Sequence, residues 1–257
     1  MADAVWTELV KIRRSRLPWL SALAFTIAAA VGGLFMFILA DPQRARAMGL
    51  LGTKAQLVNG TADWPSYFAL LAQAVAVGGA IIYGLIVIWT FGREFSDHTV
   101  KDLLALPTAR TTIVTAKFAI IGVWCLLLAV QTYLLGLAFG GLLRLPGWSG
   151  AVALDGLGVL LVTAAMTVLL ITPLALAASA GRGYLAAIGV MFATVFVSQV
   201  VATLGYGRYF PWSVPALYSG VAGSDQPALV GYLLVAVVGA AGAVGTAMWW
   251  RNADQSR

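Results

Sequence analysis

Six stretches of this chain run for 24 residues or more without one Asp, Glu, Lys, Arg or His: 17–40, 64–92, 118–143, 156–181, 183–207 and 226–250. A helix needs about 20 apolar residues to cross a hydrocarbon core roughly 30 Å thick. Each run therefore holds one span with some tilt. A soluble fold cannot hide them. Only 10% of the 257 residues are charged and 61% are apolar, against about 25% charged in a soluble domain. The next longest run, 209–224, carries Pro211 and Pro215, which break helices, and is not counted as a span. The same composition excludes disorder, and a single cysteine, Cys125, excludes a disulfide scaffold. The expected fold is all-α: one transmembrane domain over 1–257 with six spans, an N-terminal amphipathic surface helix in 1–16, and a short helix between the second and third spans.

An even number of spans puts both termini on one side, and positive charge says which. With the N-terminus cytoplasmic, the inner segments hold 11 of the 16 basic residues. These are Lys11, Arg13, Arg14 and Arg16, then Arg93, Lys101, Arg110 and Lys117, then Arg182, Arg251 and Arg257. The outer loops hold five: Arg44, Arg46, Lys54, Arg144 and Arg208. The bias favours both termini inside. The first apolar run is too long for the h-region of a cleaved signal peptide.

Val5, Leu9 and Ile12 fall at i, i+4 and i+7, on one face of a helix. Such a helix suits the membrane surface, where anionic lipid would hold it. The inner segment 93–117 is denser in charge, with Glu94, Asp97 and Asp102 beside four basic residues. Thr99 suits the N-cap of a short helix over 100–106. Pro107 ends it, and Thr108 or Thr111 caps the next span. The apolar residues Val100, Leu103, Leu104 and Leu106 need a covering surface, which is either the underside of the bundle or another protein. The outer segment 205–227 gathers Tyr206, Tyr209, Phe210, Trp212 and Tyr218 among prolines and glycines. Aromatics of this kind sit at headgroup level, so an interfacial loop is the simpler expectation over a re-entrant element.

Gln73, Gln131 and Gln199 lie inside spans. They are weak candidates for a substrate pathway, and hydrogen bonding between helices is the plainer reading of each. Pro173 is placed to kink the fourth span. No phosphate-binding G-x-x-x-x-G-K-[ST] occurs. One His and one Cys cannot make a zinc site, and no nucleophile–base pair is legible. The chain is expected to be no enzyme, to bind no metal, cofactor or nucleic acid, and to draw any energy from elsewhere.

The stretch Gly92-Arg93-Glu94-Phe95-Ser96-Asp97-His98-Thr99-Val100-Lys101-Asp102-Leu103-Leu104-Ala105-Leu106-Pro107-Thr108-Ala109-Arg110, followed by Lys117, resembles the segment after the second span of type-2 ABC transporter permeases. The N-terminal helix with Leu9, Lys11 and Arg13 fits that family, as does Phe210-Pro211-Trp212 before the sixth span. The resemblance implies a membrane-spanning permease of an ATP-driven exporter in a bacterial inner membrane. It implies a pairing with a second permease subunit, as a homodimer, and with two separate ATPase subunits that bind ATP and Mg. The helix over 100–106 then resembles the coupling helix that docks on an ATPase. Arg93, Glu94, Asp97, Thr99, Val100, Lys101, Asp102, Leu103, Leu104 and Arg110 become the interface candidates, with Arg93, Glu94 and Asp97 bracing the helix against the N-terminal helix or the ATPase. The compact six-span form resembles exporters of drugs, antimicrobial peptides or lipids. A membrane scaffold or sensor binding a cytosolic regulator through 93–117 is the alternative.

Overall fold

In the computed structural model, residues 1–50, 60–97, 99, 108–220 and 226–252 are described. All regular structure among them is helical. Six passages are long and apolar enough to cross a membrane: α2 (Leu17–Ala40), α4 (Trp64–Ser96), α5 (Arg110–Leu142), the broken pair α6 (Gly150–Leu170) and α7 (Thr172–Ala180), α8 (Tyr184–Thr203) and α10 (Leu229–Asn252). Among the described residues the short α-helices are α1 (Ala2–Arg13), α3 (Pro42–Ala47) and α9 (Val214–Tyr218). The helix expected over 100–106 lies outside the described residues, and Val100, Lys101, Asp102, Leu103 and Leu104 with it.

Local signals start several helices. Asp63 accepts the Ser66 N–H at 2.9 Å, and Pro65 fills the first turn of α4. Ser149 accepts the Val152 N–H ahead of α6. Neither Thr108 nor Thr111 caps α5, whose N-cap is Ala109 without a side-chain bond. The helix starts eight residues before its charge-free run and carries Arg110 and Lys117 within it. Likewise α4 runs past Arg93 and Glu94 to Ser96. At 33 residues each, α4 and α5 are about 50 Å long, well beyond the roughly 30 Å hydrocarbon core. A charge-free run marks where lipid is tolerated, and the helices continue past it because their polar ends find partners.

The bundle is layered by burial. In its most apolar stretch α4 is 56% buried, whereas α8 is 11% buried. The central helix presents Tyr67, Leu71, Val75, Tyr83, Val87 and Phe91 to the core. Polar groups tie neighbours together: Tyr83 Oη donates to Cys125 O of α5 at 2.9 Å, and Tyr67 Oη to Ala29 O of α2 at 3.3 Å.

Pro173 divides the fourth passage between α6 and α7, as its missing N–H requires. Thr172 Oγ1 bridges the break, lying 2.9 Å from Leu169 O and 2.8 Å from Gly239 O of α10, so that its one proton serves these two carbonyls between them. Close approach of α10 to this break needs a glycine. A Cβ on Gly242 would come within 2.5 Å of Pro173 N.

The segment before α10, expected as an interfacial loop, is folded in part against the bundle, while Tyr206 and Tyr209 stay exposed. Two 3-10 turns, Gly207–Tyr209 and Pro211–Ser213, lead into α9. This stretch tucks into the bundle. Val214 packs with Met166 and Leu170 of α6 and Val235 of α10. Ser213 Oγ and Ser198 Oγ of α8 share a hydrogen bond of 3.0 Å. The backbone can leave the surface because neighbouring helices satisfy it, and composition alone does not report those neighbours.

Candidate functional site

α1, the last turns of α4, the first turns of α5 and the end of α10 meet at one end of the bundle. Both described chain ends therefore share an end with the α4–α5 connection. The opposite end is closed by Trp64, whose N–H donates to Pro146 O and whose ring lies 4.7 Å from that of Trp148.

At the α1 end four charged side chains close a ring. Glu8 and Lys11 sit three apart on α1, on the side where Ile12 is also buried. Thr90 and Glu94 sit four apart on α4, on one face of the helix, so the Thr90 carbonyl and the Glu94 carboxylate are both within reach of one ammonium. Lys117 lies on the face of α5 that buries Val114 and Ile121. Its ammonium is 0% exposed and has three acceptors: Glu8 Oε2 at 2.9 Å, Glu94 Oε1 at 2.8 Å and Thr90 O at 3.2 Å. An ammonium has three N–H donors, and all three are used. Lys11 completes the circuit, 2.9 Å from Glu8 Oε1 and 2.8 Å from Glu94 Oε1. The remaining oxygen, Glu94 Oε2, accepts from Thr99 Oγ1 at 2.7 Å. Two positive and two negative groups leave the ring neutral. Burying charge is costly unless it is paired and fully hydrogen-bonded, and here both conditions are met. Burial disfavours the Lys11 ammonium, but the field of Glu8, with the hydrogen bond and field of Glu94, outweighs it and raises Lys11 above its ordinary value.

Glu94, expected among residues facing an ATPase, is turned inward and 2% exposed. It braces the α4 end against the N-terminal helix and reaches Thr99 at the start of the connection. Arg93 stays outside, with its guanidinium over the Trp89 ring at 4.6 Å and Nε 3.5 Å from Asp97 Oδ2. Arg110, at the far side of the connection, donates to Trp250 O and Arg251 O at 3.3 Å each. Those are carbonyls of the last turn of α10, where the helix dipole favours a cation. Beneath them Trp250 is fully buried, its Nε1 donating to Ser179 Oγ at 2.9 Å and its ring 6.0 Å from that of Phe95. The connection between α4 and α5 is thus held at both flanks, at Thr99 by the charge ring and at Arg110 by α10.

The three glutamines do not converge. Gln131 Nε2 donates to Ala22 O and Thr26 Oγ1 of α2 at 2.9 Å each, which is bonding between helices. Gln73 Nε2 reaches Ser219 O at 3.5 Å, and Gln199 lies exposed on α8. Among the described residues no three His, Cys, Asp or Glu gather as metal ligands.

Glu8 was not singled out by sequence reasoning, although a signal was there. It lies three residues after Val5 and four before Ile12, on the apolar face of its helix, and a carboxylate there calls for a buried partner. Lys117, between Val114 and Ile121, carried the same signal.

Residues 4–198 match the family model described as ABC-2 family transporter protein. That stretch contains all four ring residues and both flanks of the α4–α5 connection. Over 177 residues, 68% of this chain and 85% of the relative, the sequence is 27% identical to the bacitracin transport permease protein BCRB of Bacillus licheniformis. With most of its length inside the family match and six apolar helical passages, this multi-pass membrane chain belongs to the ABC-2 family as a type-2 ABC transporter permease.

Proposed function

We propose that this chain is the membrane-spanning subunit of an ATP-driven exporter and receives its driving movement through the α4–α5 connection. The observation that carries this reading is the double tether of that connection, to the buried ring at Thr99 and to the end of α10 at Arg110. A push on a segment held this way is delivered to α1, α4, α5 and α10 together. Family membership supports the presence of a separate ABC ATPase below it. Two such subunits, carrying ATP and Mg, would serve a pair of permeases, here a homodimer. Exported cargo must bind one bundle state better than the other for this movement to drive transport.

The reading places both termini and the ring on the cytoplasmic side of a bacterial inner membrane, in line with the excess of Lys and Arg there. The likeness to a bacitracin transport permease supports an amphipathic cargo such as an antimicrobial peptide, a drug or a lipid. Leu103→Asp tests the docking surface. The variant should insert and purify like the parent but lose the ATPase in pull-downs. Undiminished ATPase recovery with that variant would remove 100–106 as the docking element.

A further inference from the structure

A groove of about 770 Å³ opens on the side of the bundle where α1, α2 and α5 meet. Its walls are apolar. Val5, Leu9 and Ile12 of α1 close one end, and Val123 and Leu127 of α5 extend it away from α1. The single charged lining residue is Arg13. Among the described residues no carboxylate forms a salt bridge with Arg13, and the exposed Arg14 and Arg16 follow it. On the open side Trp19 is 80% exposed, so the groove faces the perimeter of a chain that spans a membrane.

We propose that this groove binds one anionic phospholipid, with an acyl chain along α5 and the headgroup phosphate on Arg13. The dimensions agree. From Ala119 to Leu127 the α5 wall runs about 12 Å, close to half of a hydrocarbon core about 30 Å thick. The chemistry selects lipid over an extended peptide segment. An inserted extended peptide would need partners for its backbone N–H and C=O groups, and these walls are almost wholly apolar. An acyl chain needs none. An arginine with no carboxylate partner among the described residues favours net negative charge in the headgroup, by roughly fivefold over a zwitterionic one.

The test uses the full chain in nanodiscs of phosphatidylcholine, doped with either brominated phosphatidylglycerol or brominated phosphatidylcholine. Trp19 and Trp124 line the groove, so bromine on a bound chain quenches their fluorescence. Half-quenching should need roughly fivefold less phosphatidylglycerol than phosphatidylcholine, and unbrominated phosphatidylglycerol should restore the signal. Arg13→Gln should erase the preference. So should Val123→Phe, which fills the groove from a position 60% exposed and therefore does not disturb the core. Equal quenching by the two lipids in the parent protein would overturn the proposal, as would a preference that survives both substitutions. Displacement by a cationic amphipathic peptide, without displacement by unbrominated phosphatidylglycerol, would assign the groove to peptide instead.

Discussion

Lys117 has no contact with solvent, and its neighbours explain why that is tolerable. Removing one member of a buried ion pair costs about 3–5 kcal/mol, because the charge left behind is uncompensated. Lys117→Met leaves Glu8 and Glu94 sharing Lys11 alone, so a loss of that size is expected in detergent unfolding measurements. Adding Glu94→Gln restores neutrality, and the double variant should be more stable than Lys117→Met. Losses that simply add would show that the four groups do not act as a unit. Lys11 gives a pH signature. Its folded value is raised above 10.5, so its contribution is full below that pH and is lost as pH rises through the folded value. The unfolding midpoint should hold through neutral pH and fall on the alkaline side, with the step reduced in Lys11→Met. The ring was half legible in the sequence. Glu94 and Lys117 stood out as a polar end and a span opener, but periodicity shows only that Glu8 shares a face with Val5 and Ile12. Which carboxylate meets which lysine depends on 83- and 109-residue separations that no local pattern encodes.

Among the elements, the break at Pro173 and its glycine partner on α10 make the sharpest contrast. Gly242→Ala places a methyl against Pro173 and Thr172, and overpacking of this kind costs about 1–3 kcal/mol. Gly141→Ala meets open space and should leave the unfolding midpoint unchanged in the same assay. The segment ahead of α10 makes a second prediction. Leu217 is buried whereas Tyr209 is half exposed. In a variant with Cys125 replaced by Ser, a membrane-impermeant maleimide should label Tyr209→Cys and spare Leu217→Cys. Comparable labelling of both would place α9 at the surface. All six passages were legible as charge-free runs, since lipid tolerates little else over that length. Helix ends and the buried turn were not. Arg110, Lys117 and Glu94 stay helical because of partners on other elements, and 211–219 is turned inward because α6, α8 and α10 receive it.

Across the whole molecule, α4 is the hub and α8 the most peripheral span. α1, the α4–α5 connection and the end of α10 gather at one end, so a force applied there reaches four helices at once. That arrangement suits a subunit moved by a partner, and it carries the central claim of ATP-driven transport by a two-component machine. The most direct measurement is purification of the tagged chain in mild detergent from its native cells, with mass spectrometry of what accompanies it. The account predicts a stoichiometric partner with a phosphate-binding G-x-x-x-x-G-K-[ST] motif. Recovery of the permease alone, repeated after crosslinking in the membrane, would contradict it.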